Sequence, residues 1–225
     1  LRYVKGLREE IGRRMEAEAF SRDEVDFLKQ AALFTWKELI TKKIRRTLET
    51  LHDELAEEIV PEALLVPEGM DFTRWQVVRG ERLEDRPYAY LDFPQYFSRE
   101  TKFTYRLMFW WGSGLFFAMI LEGPALERYR ENLLGAYHRF ADRGLALSLA
   151  ETPWEWKCEG PGILPILAKN RAQVAEAMAT RRFLKLQSCL EFEALAGEPG
   201  AIVRKGGEVF RLLRDVGARE PRTDS

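Results

Sequence analysis

The sequence predicts an α+β fold, an antiparallel sheet with helices packed on one face, preceded by two N-terminal helices. Residues 88–122 alternate aromatic and branched side chains with other residues and are interrupted at turn residues, which is the pattern of β-strands. The flanking segments carry apolar residues three and four positions apart, which is typical of amphipathic helices. We expect a single domain over residues 1–225, with a helical hairpin at 1–60 and a sheet-and-helix core at 75–216.

Two amphipathic helices are predicted at the N-terminus. The first has its apolar face at Val4, Leu7, Ile11 and Met15, and a capping box follows at residues 21–24, Ser-Arg-Asp-Glu. The second helix continues from that box to Pro61. Its apolar seam is Leu28, Ala32, Trp36, Ile40, Ile44, Leu48, Leu51, Leu55 and Ile59. A seam of this length predicts either an exposed stripe that forms a homodimer or packing on the sheet within one chain.

The strand at residues 102–111 predicts both the main core and a semi-polar sheet face. The core face is Phe103, Tyr105, Leu107, Phe109 and Trp111, and the opposite face is Lys102, Thr104, Arg106, Met108 and Trp110. Residues 112–113, Gly-Ser, suit a tight hairpin turn. The expected sheet has roughly four to six strands.

The other elements follow from shorter patterns. Strands are predicted at residues 75–78, 145–149, 154–158 and 183–192, with a charged loop at 80–87. Helices are predicted over residues 126–140, around 174–178 and over 202–216.

Composition and charge restrict the classes of protein to which the chain can belong. Hydrophobic residues make up 46% and charged residues 32% of the 225 positions, and the formal net charge is −1. Bulk charge therefore favours neither nucleic acid nor an anionic membrane as a partner. The longest apolar stretch, residues 115–121, is too short to span a bilayer, and no export signal is recognised.

Cys158 and Cys189 are interpreted as small buried apolar residues, and a cytoplasmic location is expected.

The order of elements in the second half resembles a known family. An aromatic hairpin with a Gly-rich turn, residues 111–115, leads into a Pro-started helix. Residues 182–192, Arg-Phe-Leu-Lys-Leu-Gln-Ser-Cys-Leu-Glu-Phe, and a closing helix with residues 210–213, Phe-Arg-Leu-Leu, follow. Over residues 88–216 this order is similar to the YktB-like bacterial proteins, which are single α+β domains without an assigned activity. The resemblance implies a fold and no catalytic residue.

The sharpest candidate for a functional residue is Arg106. It lies in the middle of an apolar strand, where a buried guanidinium must find a carboxylate or a ligand. Asp92, Glu122 and Glu191 are the candidate acids. We predict a site for a small anionic or aromatic ligand, formed by Arg106, Trp110, Tyr90, Trp154 and Trp156. Packing of the aromatic residues in the core and at the sheet edge is the competing interpretation.

Two functions remain open from the sequence. The first is a non-enzymatic ligand-binding or protein-interaction domain. The second is a metal-dependent phosphodiesterase or nuclease-like hydrolase, since Glu155 and Lys157 have the Glu-x-Lys spacing of nuclease strands and Asp92 is a candidate second acid. Neither His52 nor His138 has a Cys or Asp at ligand spacing, so no metal or cofactor is expected.

Overall fold

The computed structural model describes residues 19–198 and 200–219. The chain divides into two compact units, residues 1–43 and residues 44–225, and the boundary falls inside a helix. The predicted helix through Val4, Leu7, Ile11 and Met15 lies outside the described residues. Among those that are described, no helix is both long and apolar enough to cross a membrane.

The prediction of one long helix from the capping box to Pro61 is wrong, because the structure has two helices there. Helix α1 spans Arg22–Leu28 and helix α2 spans Ala31–Glu58. The capping box is confirmed at the start of α1, where the Glu24 amide donates to Ser21 Oγ at 3.3 Å and the Ser21 amide donates to Glu24 Oε2 at 2.6 Å. The chain has neither Gly nor Pro between α1 and α2, so the usual signals of a helix break are absent there.

The α+β class with an antiparallel sheet is confirmed, although the sheet has seven strands where four to six were expected. The strands are β1 Gln76–Leu83, β2 Arg86–Phe97, β3 Lys102–Trp110, β4 Gly114–Glu122, β5 Ala146–Ser148, β6 Ile163–Pro165 and β7 Phe183–Leu190. Their spatial order is β1-β2-β3-β4-β7-β5-β6, and every neighbouring pair is antiparallel.

Two local predictions are corrected by the strands. Residues 80–87 form a hairpin, because Glu84 and Asp85 take positive φ angles of 49° and 61° and so turn β1 directly into β2. Residues 154–158 are not a strand and belong to a loop between β5 and β6. The predicted strand at 183–192 is confirmed as β7, which lies inside the sheet.

The main core lies between one face of the sheet and the helices of the second unit. Helices α3 Leu126–Gly135, α4 Tyr137–Phe140, α5 Arg171–Ala179 and α6 Ala201–Leu213 contribute to it together with the second half of α2. Tyr105 is fully buried, and its hydroxyl donates to the Gly206 carbonyl of α6 at 2.7 Å. A Cβ on Gly206 would come within 2.9 Å of Leu51, so this glycine allows α6 to approach α2 closely.

Candidate functional site

The candidate site lies on the sheet face opposite the main core, which we call the second face. The β3 residues on this face, from Thr104 to Trp110, are buried. The sheet face that was predicted to be semi-polar is therefore not open to solvent. The loop at residues 149–162, which we call the cover loop, connects β5 to β6 and packs on it through Trp156. Both faces of the central strands are therefore buried.

Arg106 is held by a cross-strand carboxylate on the second face. Strand pairing sets Asp92 of β2 directly opposite Arg106 of β3. The guanidinium donates twice, from Nε to Oδ1 at 2.7 Å and from Nη2 to Oδ2 at 2.7 Å. Asp92 is fully buried and the Arg106 side chain is 8% exposed. This is a bidentate ion pair, the geometry in which a buried arginine and carboxylate satisfy each other best.

Aromatic rings surround the Arg106 guanidinium. Its central carbon lies 3.7 Å from the ring centroid of Tyr90, 5.3 Å from that of Trp154 and 5.7 Å from that of Trp156. Burial is the main cause that raises the pKa of the Tyr90 phenol above its ordinary value. The structure thus brings four of the five predicted ligand-binding residues together, as three aromatic rings around the Arg106 cation.

The fifth predicted residue, Trp110, lies on the same face but farther along β3. Its indole Nε1 donates to the Leu83 carbonyl at 3.1 Å, and its ring packs against Phe116. The Arg86 guanidinium lies 4.4 Å from the centre of the Trp110 ring. Trp110 therefore closes the end of the second face near the β1–β2 hairpin. A ligand-binding role for the five residues stays a prediction.

Lys185 is a member of the cluster that the sequence reasoning missed. It lies on β7 opposite Ile120, fully buried, and its Nζ donates to the Glu155 carbonyl of the cover loop at 2.6 Å. The same nitrogen lies 3.4 Å from the ring centre of Trp156. Burial, with Arg106 as a further cause, lowers the pKa of Lys185 to about 7. The sequence did contain a signal for this residue. Lys185 is a charged residue between Leu184 and Leu186 in an apolar strand, just as Arg106 is a charged residue in the apolar strand β3.

The lowered pKa of Lys185 predicts that stability rises with pH. An unfolded lysine with a pKa of 10.5 binds its proton more tightly than folded Lys185 does, so between about pH 7 and 10.5 the unfolded state holds more protons. Relative to Lys185→Met, which cannot titrate, the wild type should gain about 1–3 kcal/mol of unfolding free energy between about pH 7.5 and 9.5. Urea titrations of both proteins across this range measure the difference. Parallel pH profiles would contradict a lowered pKa.

The interpretation of the two cysteines as separate small apolar residues is wrong. Cys158 of the cover loop and Cys189 of β7 form a disulfide, with their Cα atoms 5.7 Å apart. Cys189 faces the same side of β7 as Lys185 and Gln187, and the cover loop brings Cys158 to it. The bond joins positions 31 residues apart, so it fixes the cover loop to the sheet.

The residues proposed for hydrolysis do not converge. Both oxygens of Asp92 accept from Arg106, whereas Glu155 and Lys157 are exposed on the cover loop. Within residues 19–198 and 200–219, no group of three or more His, Cys, Asp or Glu side chains is arranged to hold a metal ion. His52 instead packs between aromatic rings, stacked on Trp75 at 4.0 Å and edge-on to Phe93 at 4.6 Å. The hydrolase alternative stays a prediction.

Comparisons with known proteins identify no relative of the chain. Protein-family models, curated proteins and solved structures were each compared with it, and none matches. The resemblance to the YktB-like proteins therefore stays a prediction.

Proposed function

We propose that the protein is a protein-interaction domain that forms a homodimer through its N-terminal helices. The observation that carries the proposal is a cluster of exposed apolar side chains within residues 20–40. We call it the apolar patch, and its members are between 37% and 75% exposed. They are Phe20, Val25, Phe27, Leu28, Leu33, Phe34, Trp36, Leu39 and Ile40.

The apolar patch is too concentrated to be ordinary surface. Single exposed apolar residues are normal in soluble proteins, but nine large ones within one short segment indicate a contact surface. Fully burying a Val, Leu, Ile or Phe side chain is worth roughly 1.5–3 kcal/mol. Burying several of them offsets the estimated 4–15 kcal/mol that association costs in lost freedom of motion. The patch therefore supplies enough driving force for a stable complex.

A second copy of this chain is the partner that the charges favour. Helix α1 carries Asp23, Glu24 and Asp26 against one Arg22, whereas residues 37–43 of α2 carry three lysines against one glutamate. The acidic helix α1 and the basic stretch 37–43 of α2 make this segment complementary to itself under twofold symmetry. Leu33, Trp36 and Ile40 follow a three- and four-residue spacing on α2, which suits packing against another helix.

Replacing Trp36 by glutamate tests the proposal. Trp36 is 60% exposed, so Trp36→Glu leaves the core of the second unit untouched, but it would place a charge inside the dimer contact. We expect the dimer dissociation constant to rise by more than about ten-fold, as for the loss of an interface anchor. Sedimentation velocity over a range of concentrations measures it.

Thr50→Glu is the matched control, because it adds the same charge at an exposed position of α2 beyond the apolar patch. It should leave the dissociation constant unchanged. A wild-type chain that sediments as a monomer at every concentration would refute the proposal. That outcome would mean that the apolar patch does not join two copies of the chain. An equal effect of Thr50→Glu would also refute it, because the patch would then have no special part in association.

A further inference from the structure

The cover loop is unusually long for its place in the sheet. It joins β5 and β6, which are antiparallel neighbours. Such hairpins are usually closed by roughly two to five residues, and much longer connections are commonly lids or binding loops. Here the connection occupies residues 149–162, and most of it is exposed while Trp156 is inserted against the second face. Its length is therefore used to cover a surface.

Three consecutive outward positions of β7 fasten the cover loop. Lys185 Nζ donates to the Glu155 carbonyl at 2.6 Å, and Gln187 Nε2 donates to the Lys157 carbonyl at 2.5 Å. The third fastening is the disulfide from Cys189 to Cys158. The first two are single hydrogen bonds, whereas the third is covalent. The disulfide is therefore the fastening that decides whether this part of the loop can leave the sheet.

The surface beneath the loop carries more positive than negative charge. Arg106 Cζ and Lys185 Nζ both lie beside the Trp156 ring, 5.7 Å and 3.4 Å from its centroid, and Asp92 is committed to Arg106 through both of its oxygens. The partners of Lys185 are a carbonyl and the Trp156 ring, and both belong to the cover loop. Lifting the loop would remove them together and leave an ammonium group next to a guanidinium.

The same surface also holds an acceptor without a donor. Gln187 is 1% exposed, and its Oε1 has no hydrogen-bond partner within the described part of the chain. An occupant that suits this surface has negatively charged oxygens for Lys185 and Arg106 and one hydroxyl for Gln187. Monohydrogen phosphate and other hydroxyl-bearing oxyanions have this chemistry.

We propose that the cover loop is a redox-controlled lid: the Cys158–Cys189 disulfide keeps it closed over an oxyanion site formed by Lys185, Arg106 and Gln187, and reduction opens that site. The reductant is a dithiol. One of its thiolates attacks Cys158 Sγ, which belongs to an exposed residue, and expels the Cys189 thiolate. Its second thiol then displaces Cys158, so that the dithiol becomes a cyclic disulfide and its two protons pass to the two cysteines.

Labelling of Lys185 with an amine-reactive ester tests the lid. Exposed Lys169 serves as the internal reference in the same digest. In the oxidised protein Lys185 should stay unlabelled. After treatment with dithiothreitol its labelling relative to Lys169 should rise by roughly ten-fold or more, because labelling then follows the open fraction. Cys158→Ser, which cannot form the bond, should show the same labelling without any reductant.

Inorganic phosphate tests the site. In the reduced protein it should suppress labelling of Lys185 and leave labelling of Lys169 unchanged. Equal labelling of Lys185 before and after reduction would overturn the lid, and labelling that phosphate does not suppress would overturn the oxyanion site. Loss of the far-ultraviolet circular dichroism signal on reduction would also overturn the proposal, because the disulfide would then hold the whole fold and not a lid. These outcomes are independent of whether the chain dimerises.

Discussion

Asp92→Ala is expected to lower the free energy of unfolding by about 3–5 kcal/mol, because it leaves the Arg106 guanidinium buried without its carboxylate. Asp92 is completely buried, and only 8% of the Arg106 side chain is exposed, so a guanidinium without its carboxylate would find little water to replace it. Urea denaturation of the oxidised protein, followed by tryptophan fluorescence, measures the loss.

Glu127→Ala is the control for the ion pair. Glu127 accepts from Arg130 at 2.8 Å but is 72% exposed, and removing an exposed partner typically costs about 0.2–1 kcal/mol. A double replacement of Asp92 and Arg106 by leucine should lose less stability than Asp92→Ala, since no charge is then left unpaired. If Asp92→Ala costs no more than Glu127→Ala, Arg106 is solvated and the sealed second face is wrong.

Leu107→Ala is expected to lower the free energy of unfolding by about 2–5 kcal/mol, through lost burial and the cavity that remains. Leu107 is completely buried in the main core and pairs with Phe117 across β3 and β4. The control is Leu195→Ala, because Leu195 is 39% exposed and its truncation should cost less than about 0.5 kcal/mol. A similar loss for both variants in urea titrations would show that this face of β3 is not the core.

The sheet was predictable because its strands carry their signals locally. Phe103, Tyr105, Leu107 and Phe109 alternate strictly, and all four lie in the main core. The same pattern left the second face ambiguous, since alternation identifies two faces but does not say what covers the more polar one. What covers it is a distant loop, and no local pattern encodes that contact.

The cover loop illustrates how an extended segment can be mistaken for a strand. Residues 154–157, Trp-Glu-Trp-Lys, alternate as a strand does. The carbonyls of Glu155 and Lys157, however, accept from the side chains of Lys185 and Gln187 and not from a neighbouring strand. The periodicity is correct, but the hydrogen-bond partners are side chains, so no ladder forms.

Part of the candidate site was predictable from the local sequence of its strands. A charge in an apolar strand signals a buried partner, and this reasoning identified Arg106 and named Asp92 among three acids. It applied equally to Lys185, which was overlooked. The disulfide could not be derived, because two cysteines 31 residues apart can pair only if the fold brings their Cα atoms to bonding distance.

Photocrosslinking from within the apolar patch is the most direct test of the proposal that this patch joins two copies of the chain. Phe34 is 63% exposed, and the 225-residue chain carrying Phe34→p-benzoylphenylalanine would be irradiated. We expect a covalent species of twice the 26.2 kDa chain mass, with the crosslinked peptides of both copies falling within residues 20–43. Crosslinks confined to a single chain would contradict it.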